Sequence, residues 1–258
     1  MNKKYFYNFF PNEDEFLIAS IWDDISLCLD IDYPVYGSIF LSPQVCLKLR
    51  EVCKFIDIDI HKVGLTPESE KQLVVFTPKN FDSSLLDKVV TYFKIDASNK
   101  FKILHHKDFL GAIMSLGLKR ETLGDIIVKN NIAYCVAIND IFNIIKDNLC
   151  QINTIPINIS NISPSEIPPL EFKEIICTVS SLRLDSIVSS IVNSSRNIST
   201  ELIENGEVFI NYNVEKSKNK IIAMTSIITI RKRGKFILEK NLGENKKGKV
   251  KILIRQYI

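Results

Sequence analysis

The sequence predicts a mixed α+β fold with more than one domain, and three observations support this prediction. Stretches with the apolar spacing of helices alternate with stretches of period two, which is typical of strands. Hydrophobic residues make up 46% of the 258 residues, enough for sizeable cores. A segment with serines and prolines separates a longer N-terminal part from a basic C-terminal part. The expected domains are an N-terminal α/β unit at residues 1–80, a middle domain at 81–162, a linker at 163–178 and a C-terminal domain at 179–258.

Helices and strands alternate in the N-terminal unit. Asn12 can cap a helix that extends to about residue 30, with acidic residues in its first turn, where the helix dipole favours them. A second helix is expected to begin at Ser42 and Pro43, because proline is favoured at the first helical position. It ends near Phe55. A loop that leads into a strand is expected at residues 33–41, and strands are expected at 56–63 and 72–77.

Strand, helix, hairpin, helix and strand follow one another in the middle domain, which is the element order of the ferredoxin-like plait. The expected strands are 89–97, 122–129, 132–137 and 152–159, and the expected helices are 107–116 and 139–149. Asn130 and Asn131 tolerate the positive φ of a tight hairpin. Many plaits bind RNA, but the fold alone does not establish this. Tyr134 is the single aromatic residue of the hairpin, so we do not expect bases to stack on this sheet.

The stretch 182–211 in the C-terminal domain carries the clearest functional pattern. A second short helix is expected after Ser194 or Ser195, ending at Gly206, and a strand follows it. The first helix has apolar residues at i, i+3, i+4, i+7 and i+8: Leu184, Ile187, Val188, Ile191 and Val192. The pattern therefore predicts two amphipathic helices that pack on a small sheet.

Arginines stand at the beginnings of both helices. Arg183 precedes the first helix, and Arg196 lies in the first turn of the second. A cation at a helix N-terminus is disfavoured by the helix dipole, by about 0.3–1 kcal/mol, whereas the free backbone N–H groups there bind anions such as phosphate. We therefore expect these arginines to contact RNA phosphates. Ser195 and Asn211 would add polar contacts, and Asp185 would orient Arg196 or cap its helix.

These residues resemble the S4 RNA-binding domain. Its pattern is Arg-Leu-Asp, then Ser-Arg, then Leu-Ile and Gly, and then a Val-x-Val-Asn strand. The matching residues are Arg183-Leu184-Asp185, Ser195-Arg196, Leu202-Ile203, Gly206 and Val208-Phe209-Ile210-Asn211. The resemblance implies two helices on a small β-sheet that bind structured RNA through the helix face. Two departures lower the expected affinity: Ile198 and Thr200 are uncharged where relatives are often basic, and Thr225-Ser226 replaces a Gly-Asp turn.

The charge of the chain is unevenly distributed. Residues 171–258 contain 16 Lys and Arg against 9 Asp and Glu, a net charge of +7, whereas the remainder contains 17 against 21, a net charge of −4. Residues 215–258 alone have 13 basic and 3 acidic residues, a net charge of +10. Such a basic surface beside an RNA motif favours phosphate contacts, which position RNA without identifying its sequence. The candidate set is Lys232, Arg233, Lys235, Lys246 and Lys247.

The middle domain carries a second polar motif near the ends of its first helix. One interpretation is a metal site formed by His105, His106 and Asp108, but adjacent histidines rarely point to one ion, and we expect no metal. Another is a basic edge that contacts RNA, formed by four residues: His106, Lys107, Lys119 and Arg120. The third interpretation is a helix that packs on its sheet with solvated ends.

A longer resemblance, to the YlmH family, covers nearly the whole chain. It is strongest at residues 104–128, which contain the block HxDFLGAxxxLGxKRExxGDI, and at 178–211. Residues 232–236 and 246–249 resemble the C-terminus of that family, and Gly64 to Lys71 matches an N-terminal stretch loosely. The resemblance implies a bacterial S4-domain protein that binds the large ribosomal subunit. It also implies association with tRNA-bearing, stalled complexes in ribosome-associated quality control, so rRNA and tRNA are the implied RNA partners.

Other patterns argue against several classes of function. None of the six cysteines forms C-x-x-C, and there are three histidines, so neither a zinc site nor a disulfide framework is expected. We find no signal peptide and no apolar run of about 18 residues, so we expect a cytoplasmic protein without a membrane span. Since neither a P-loop nor G-x-G-x-x-G is present, no cofactor is expected.

The expected function is RNA binding without catalysis, by a monomer. The main alternative is an RNA-modifying enzyme, such as a pseudouridine synthase, that uses the S4 domain as its substrate anchor. Such enzymes need a large catalytic domain with a catalytic Asp, and the chain before residue 170 offers too little length and no such motif. A third hypothesis makes the acidic N-terminal unit a protein-interaction scaffold. Salt dependence separates RNA binding through phosphates, which weakens steeply as salt rises, from a mainly apolar protein contact, which does not. Turnover of RNA by the purified protein would favour the enzyme.

Overall fold

The computed structural model describes residues 2–82, 89–99, 102–245 and 248–258. It confirms the mixed α+β class, and the chain divides into two compact units, Met1–Pro168 and Pro169–Ile258. In the described ranges, no helix combines the length and the apolarity needed to cross a membrane.

The first part of the first unit is a three-stranded antiparallel sheet in the order β1-β3-β2, packed against helices. Its elements are α1 (Lys3–Tyr7), α2 (Glu15–Ile31), β1 (Val35–Leu41), α3 (Pro43–Val52), β2 (Ile58–Val63) and β3 (Gln72–Pro78). The Ser42 and Pro43 helix start is confirmed, since the Ser42 hydroxyl accepts the Val45 N–H at 3.4 Å. The predicted Asn12 cap is wrong: the Asp14 carboxylate accepts the Leu17 N–H at 2.9 Å, so the cap of α2 lies two residues later than expected.

The second part of the first unit is a four-stranded antiparallel sheet in the order β5-β6-β4-β9. Its elements are β4 (Val90–Asp96), α4 (His106–Met114), β5 (Leu123–Lys129), β6 (Ile132–Ile138), α5 (Asn139–Asn148), β7 (Gln151–Ile152), β8 (Ile155–Pro156) and β9 (Asn158–Asn161). Asn130 and Asn131 form the hairpin turn with φ of 51° and 61°, as predicted. The single strand predicted at 152–159 is wrong, because Asn153 turns the chain with φ of 54° and divides it into a small hairpin and β9.

A shared apolar core joins the two parts of the first unit. Phe40 of β1 packs with residues that include Leu73 of β3 and Val136 of β6. Gly124 allows this close approach, since a Cβ atom there would lie 2.5 Å from Val136 Cγ1 and 3.0 Å from Phe40 Cε1. Two further cores lie under the individual sheets, so residues 1–80 and 81–162 have separate centres and a common contact.

The second unit is a six-stranded sheet in the order β10-β15-β14-β13-β11-β12, with every pairing antiparallel. Its elements are β10 (Phe172–Val179), α6 (Leu184–Ile191), α7 (Arg196–Glu204), β11 (Val208–Ile210), β12 (Asn213–Val214), β13 (Ile227–Ile230), β14 (Gly234–Glu244) and β15 (Val250–Tyr257). One face of the sheet is buried with apolar residues of the helix pair, including Leu184, Ile187, Val188 and Ile203.

Two sequence predictions for this unit need correction. The linker predicted at 163–178 is wrong in its second half, because Phe172–Val179 pairs along its whole length with β15. Its period-two pattern turns Ile175, Cys177 and Val179 toward the core, and this burial favours a strand over a linker. The sequence also predicts a strand at 221–230 and a final hairpin of residues 236–238 with 249–254. The strand is restricted to Ile227–Ile230, whereas the hairpin is confirmed as β14 and β15.

Candidate nucleic-acid interface

Arg183, the residue before the first turn of α6, is held by a carboxylate. Its Nε donates to Asp185 Oδ1 at 3.1 Å and its terminal nitrogen to Asp185 Oδ2 at 3.0 Å, a bidentate arrangement. The same terminal nitrogen donates to Asn219 Oδ1. Asp185 is buried, with 5% of its surface exposed. The prediction that Asp185 orients Arg196 is therefore wrong: its partner is Arg183, and this pair offsets the unfavourable cation at the helix start.

Arg196 occupies the first position of α7 and is exposed. Its guanidinium donates to the Ser180 hydroxyl, which lies 3.1 Å from the Ser186 hydroxyl. The first turn of α7, residues 196–199, contains no acidic residue. Ser195 is the N-cap of this helix, and its hydroxyl accepts the Ile198 N–H at 3.5 Å. The start of α7 thus combines a cation with a positive dipole end, and an anion would be stabilised by both.

A buried serine links the two helix starts. The Ser199 hydroxyl lies 3.0 Å from the backbone oxygen of Asp185 in α6 and 2.9 Å from that of Arg196 in α7. Ser199 itself has no exposed surface. The link keeps the first turns of α6 and α7 adjacent, so both helix starts contribute to one surface.

A hydroxyl-rich pocket of about 530 Å³ lies beside Arg196. Among the residues that the structure describes, the Ser194 Oγ is buried without a hydrogen-bond partner. Most of the lining side chains carry a hydroxyl, and Arg196 and Lys249 add positive charge. The lining residues are Thr178, Val179, Ser180, Ser186, Ser189, Ser190, Asn193, Ser194, Ser195, Arg196 and Lys249. Hydroxyl donors with two cations form a surface that suits phosphate oxygens.

The other residues predicted for this interface fall into different places. Asn211 closes a turn: its Oδ1 accepts the Ile227 N–H at 2.9 Å, so this part of the side chain serves the sheet. Lys232 and Arg233 are exposed in the turn between β13 and β14. Lys235 lies on β14 and points along the face of the sheet opposite to the helices. Lys246 and Lys247 lie outside the described residues.

In the first unit, Arg120 is turned inward. Its guanidinium donates to the backbone oxygens of Leu123 at 2.6 Å and Gly124 at 3.1 Å. His106, Lys107 and Lys119 are exposed. Burial of part of the His106 ring, followed by the charge of Arg120, lowers the pKa of His106. The described geometry therefore gives Arg120 a structural role in holding the start of β5, whereas the other three members of the proposed basic edge remain accessible.

The carboxylate of Asp125 in β5 accepts hydrogen bonds from the loop that follows β2. Its Oδ2 accepts the Glu70 N–H at 2.6 Å, and the Lys71 N–H lies 3.3 Å from both carboxylate oxygens. Burial raises the pKa of Asp125, and the two N–H donors act in the opposite direction. The Ser69 hydroxyl accepts the Thr66 N–H at 2.8 Å and keeps the loop compact. These hydrogen bonds connect residues 64–71 with residues 104–128, the two stretches of this unit whose sequences resemble the YlmH family.

Comparison with known proteins adds three findings. Residues 86–166 match the family described as "Putative RNA-binding domain in YlmH". The chain is 28% identical, over 215 residues, to "Ribosome-associated protein quality control protein P2" of Bacillus subtilis (strain 168), which covers 83% of this chain and 84% of that protein. "Cell division protein ylmH from Streptococcus pneumoniae" matches in structure with a TM-score of 0.50 and 24% identity, covering 58% of this chain and 91% of that one. The chain is therefore similar, over different parts of its length, to a domain of YlmH and to two proteins.

The segment matched by the YlmH family model and the helix-start arginines lie in different units. Residues 86–166 contain β4 to β9 of the first unit, whereas Arg183 and Arg196 belong to the second. The structural likeness to the Streptococcus pneumoniae protein concerns the fold alone.

Sequence reasoning missed several residues of this interface. Ser180 and Asn219 accept hydrogen bonds from Arg196 and Arg183, and Lys249 lines the pocket beside Arg196, so three separate segments contribute to the interface. The density of serines between residues 180 and 195 was the available signal for the pocket. No local sequence pattern predicts the hydrogen bonds from the Glu70 and Lys71 N–H groups to Asp125, because 55 and 54 positions separate the partners.

Proposed function

We propose that this protein is a member of the YlmH family, and that it binds structured RNA of the ribosome, without catalysis, through the starts of α6 and α7. The observation that carries the proposal is Arg196 on a helix start beside a hydroxyl-rich pocket, with no carboxylate in its helical turn. A phosphate group there would receive hydrogen bonds from the guanidinium and from serine hydroxyls, and the helix dipole would favour its charge. Arg183 contributes by holding the neighbouring turn.

We further propose that the second unit is an S4-type domain. Two short helices, a C′ Gly206 with φ of 73° and the strand Val208–Ile210 support this assignment, together with the Arg183 and Arg196 positions. For residues 81–162, the strand order β5-β6-β4-β9, with helices after the first and third strands, supports a ferredoxin-like plait. The description of the matched family supports a second RNA contact in this part of the chain.

The ribosome is the proposed location of the RNA because of the Bacillus subtilis relative, whose name includes ribosome association and protein quality control. We propose the large subunit, with or without bound tRNA, as the target, and stalled translation as the occasion. The charge of +10 on residues 215–258 supports a polyanionic partner for the second unit. Electrostatic attraction of this kind speeds association and weakens with salt.

A non-catalytic role agrees with the state of the cysteine thiols in the first unit. Burial raises the pKa of Cys46 to about 11 and that of Cys53 to about 12. Burial also raises the pKa of Cys135. Because the thiolate is the nucleophilic form, these groups are poor nucleophiles at neutral pH. Their positions in apolar cores support the interpretation that they pack the fold.

The test is co-sedimentation with 70S ribosomes and with separated 30S and 50S subunits at several salt concentrations. Arg196→Ala should weaken association with 50S subunits and reduce the slope of binding against salt by about 1, because one phosphate contact is lost. Arg50→Ala is the matched control, since Arg50 is an exposed arginine on α3 of the first unit. Equal binding of wild type and Arg196→Ala would reject the helix-start site, and binding to no particle would reject the ribosomal target.

A further inference from the structure

The face of the C-terminal sheet opposite to α6 and α7 carries a row of side chains across five strands. Phe209 of β11 pairs with Thr229 of β13, and Thr229 pairs with Lys235 of β14. By the register of β14 with β15, Lys235 lies opposite Tyr257, which pairs with Phe172 of β10. The alternate residues of these strands are buried with the helix pair, so this row faces the other way. We call these five residues the aromatic row.

Each ring of the aromatic row has a basic group beside it. Lys235 Nζ lies 4.3 Å from the centroid of the Tyr257 ring, and it also lies 5.1 Å from that of Tyr212. Arg231 lies 5.3 Å from the ring of Phe209. At the other end, Arg255 lies 4.8 Å from the ring of Phe172. In cation–π contacts of this kind the basic group lies over the face of the ring, so each of these rings has a cation next to one of its faces.

The charges of this face are uneven along the row. Arg255 is paired with Glu239, with Nε 2.8 Å from Oε2, so the β10 end is partly neutralised. Toward β11, Arg231 and Lys235 stand beside Thr229, and Arg231 is exposed. The four rings near the row, Phe172, Phe209, Tyr212 and Tyr257, are all partly exposed. Partly exposed rings with adjacent cations match the two components of single-stranded nucleic acid, bases and phosphates.

We propose that the aromatic row binds a single-stranded segment of RNA. Bases would pack on Phe209, Tyr257 and Phe172, and Arg231 and Lys235 would contact the phosphates between them. Sheet faces bind unpaired bases in this way when they expose aromatic residues. This inference rests on the proposed function for RNA as the class of ligand, but it uses the opposite face of the unit. The helix pair would contact structured RNA on one side, and the sheet would hold an unpaired strand on the other.

The experiment measures fluorescence anisotropy of a labelled oligouridylate, which has little structure of its own, with the full chain. The variant Phe172→Leu with Tyr257→Leu keeps apolar bulk and removes two rings. Its affinity should fall roughly tenfold or more, because each stacked base contributes to binding. Phe16→Leu is the matched control, since Phe16 is an aromatic residue on α2 of the first unit with 86% of its surface exposed.

Three outcomes would overturn the proposal: no binding of oligouridylate by the wild type, equal binding by the leucine variant, or competition by polyglutamate as strong as that by oligouridylate. The last outcome would mean that charge alone, and therefore an acidic protein, suffices. If circular dichroism shows that the leucine variant is unfolded, Lys235→Gln decides instead, with exposed Lys251→Gln of β15 as its control. The ribosome assay with Arg196→Ala is separate, so either proposal can fail while the other survives.

Discussion

The starts of α6 and α7 carry the same residue type in nearly the same position, yet their environments differ. Arg183 donates to both oxygens of the buried Asp185, so its charge has an internal partner. Arg196 donates to a serine hydroxyl at an open pocket, without a carboxylate in its turn. A basic residue in a binding motif can therefore either stabilise the fold or bind the ligand. The carboxylate two positions after Arg183 makes the difference here.

The largest expected effect is on stability, at the first of these helix starts. Arg183→Ala leaves the buried Asp185 carboxylate without its bidentate partner, and we expect a loss of roughly 1–3 kcal/mol in the free energy of unfolding of the second unit. Arg196→Ala should change it by less than about 0.5 kcal/mol, because the side chain is exposed. Denaturant unfolding of both variants provides the measurement. Equal losses would contradict the division of roles between the two arginines.

Asp24 of α2 lies beside another acid, Asp23, whereas Asp185 is paired with an arginine. In α2, burial first and then the charge of Asp23 raise the pKa of Asp24 to about 6. The folded state therefore holds this proton more tightly than the unfolded state, and stability decreases as pH rises from about 4 through 6. Asp24→Asn should remove this dependence and stabilise the first unit at pH 7 by about 1–2 kcal/mol, allowing for solvent screening.

Melting curves between pH 4 and pH 8 measure this effect, with Asp30→Asn as the matched control on the same helix, because Asp30 is exposed. A wild-type stability that is flat across this range, or equal shifts for both variants, would contradict the role assigned to Asp24.

The smallest expected effect concerns the link between the two helix starts. Ser199→Ala removes the hydroxyl that lies between the backbone oxygens of Asp185 and Arg196. The loss should be about 0.5–1.5 kcal/mol, the contribution of one buried hydrogen bond. Thermal unfolding measures it, and Ser217→Ala on an exposed loop serves as the control. If Ser199→Ala also weakens 50S association more than Ser217→Ala does, the relative placement of the helices matters for binding as well.

The sequence predicted the local elements of the second unit well and its long-range pairing poorly. Both helices and Gly206 were predicted nearly in place, because apolar spacing and a left-handed C′ glycine are properties of neighbouring residues. The prolines before Glu171 suggested a linker, but Phe172–Val179 pairs with a strand about 80 residues away. No local pattern identifies such a partner.

The candidate interface was predictable to the same extent. The motif identified Arg183, Ser195 and Arg196 as a group, and the structure brings the two helix starts together through Ser199. The pairing of Arg183 with Asp185 depends on rotamers that spacing leaves undetermined. The aromatic row was not foreseen, because its members come from strands whose order in the sheet differs from their order in the chain. Alternation alone could have identified a face on each strand, but not the face that five strands share.

The position of β15 in the sheet has a consequence for how the second unit forms. β15 lies between β10 and β14, so the platform under α6 and α7 is completed by residues 250–257. During synthesis, the two helices and their arginines emerge before this strand exists. Until it pairs, β10 has no neighbour within the sheet, and the apolar sides of both helices lack part of their cover. The nascent helix pair is therefore expected to acquire its binding geometry late, when β15 pairs with both β10 and β14.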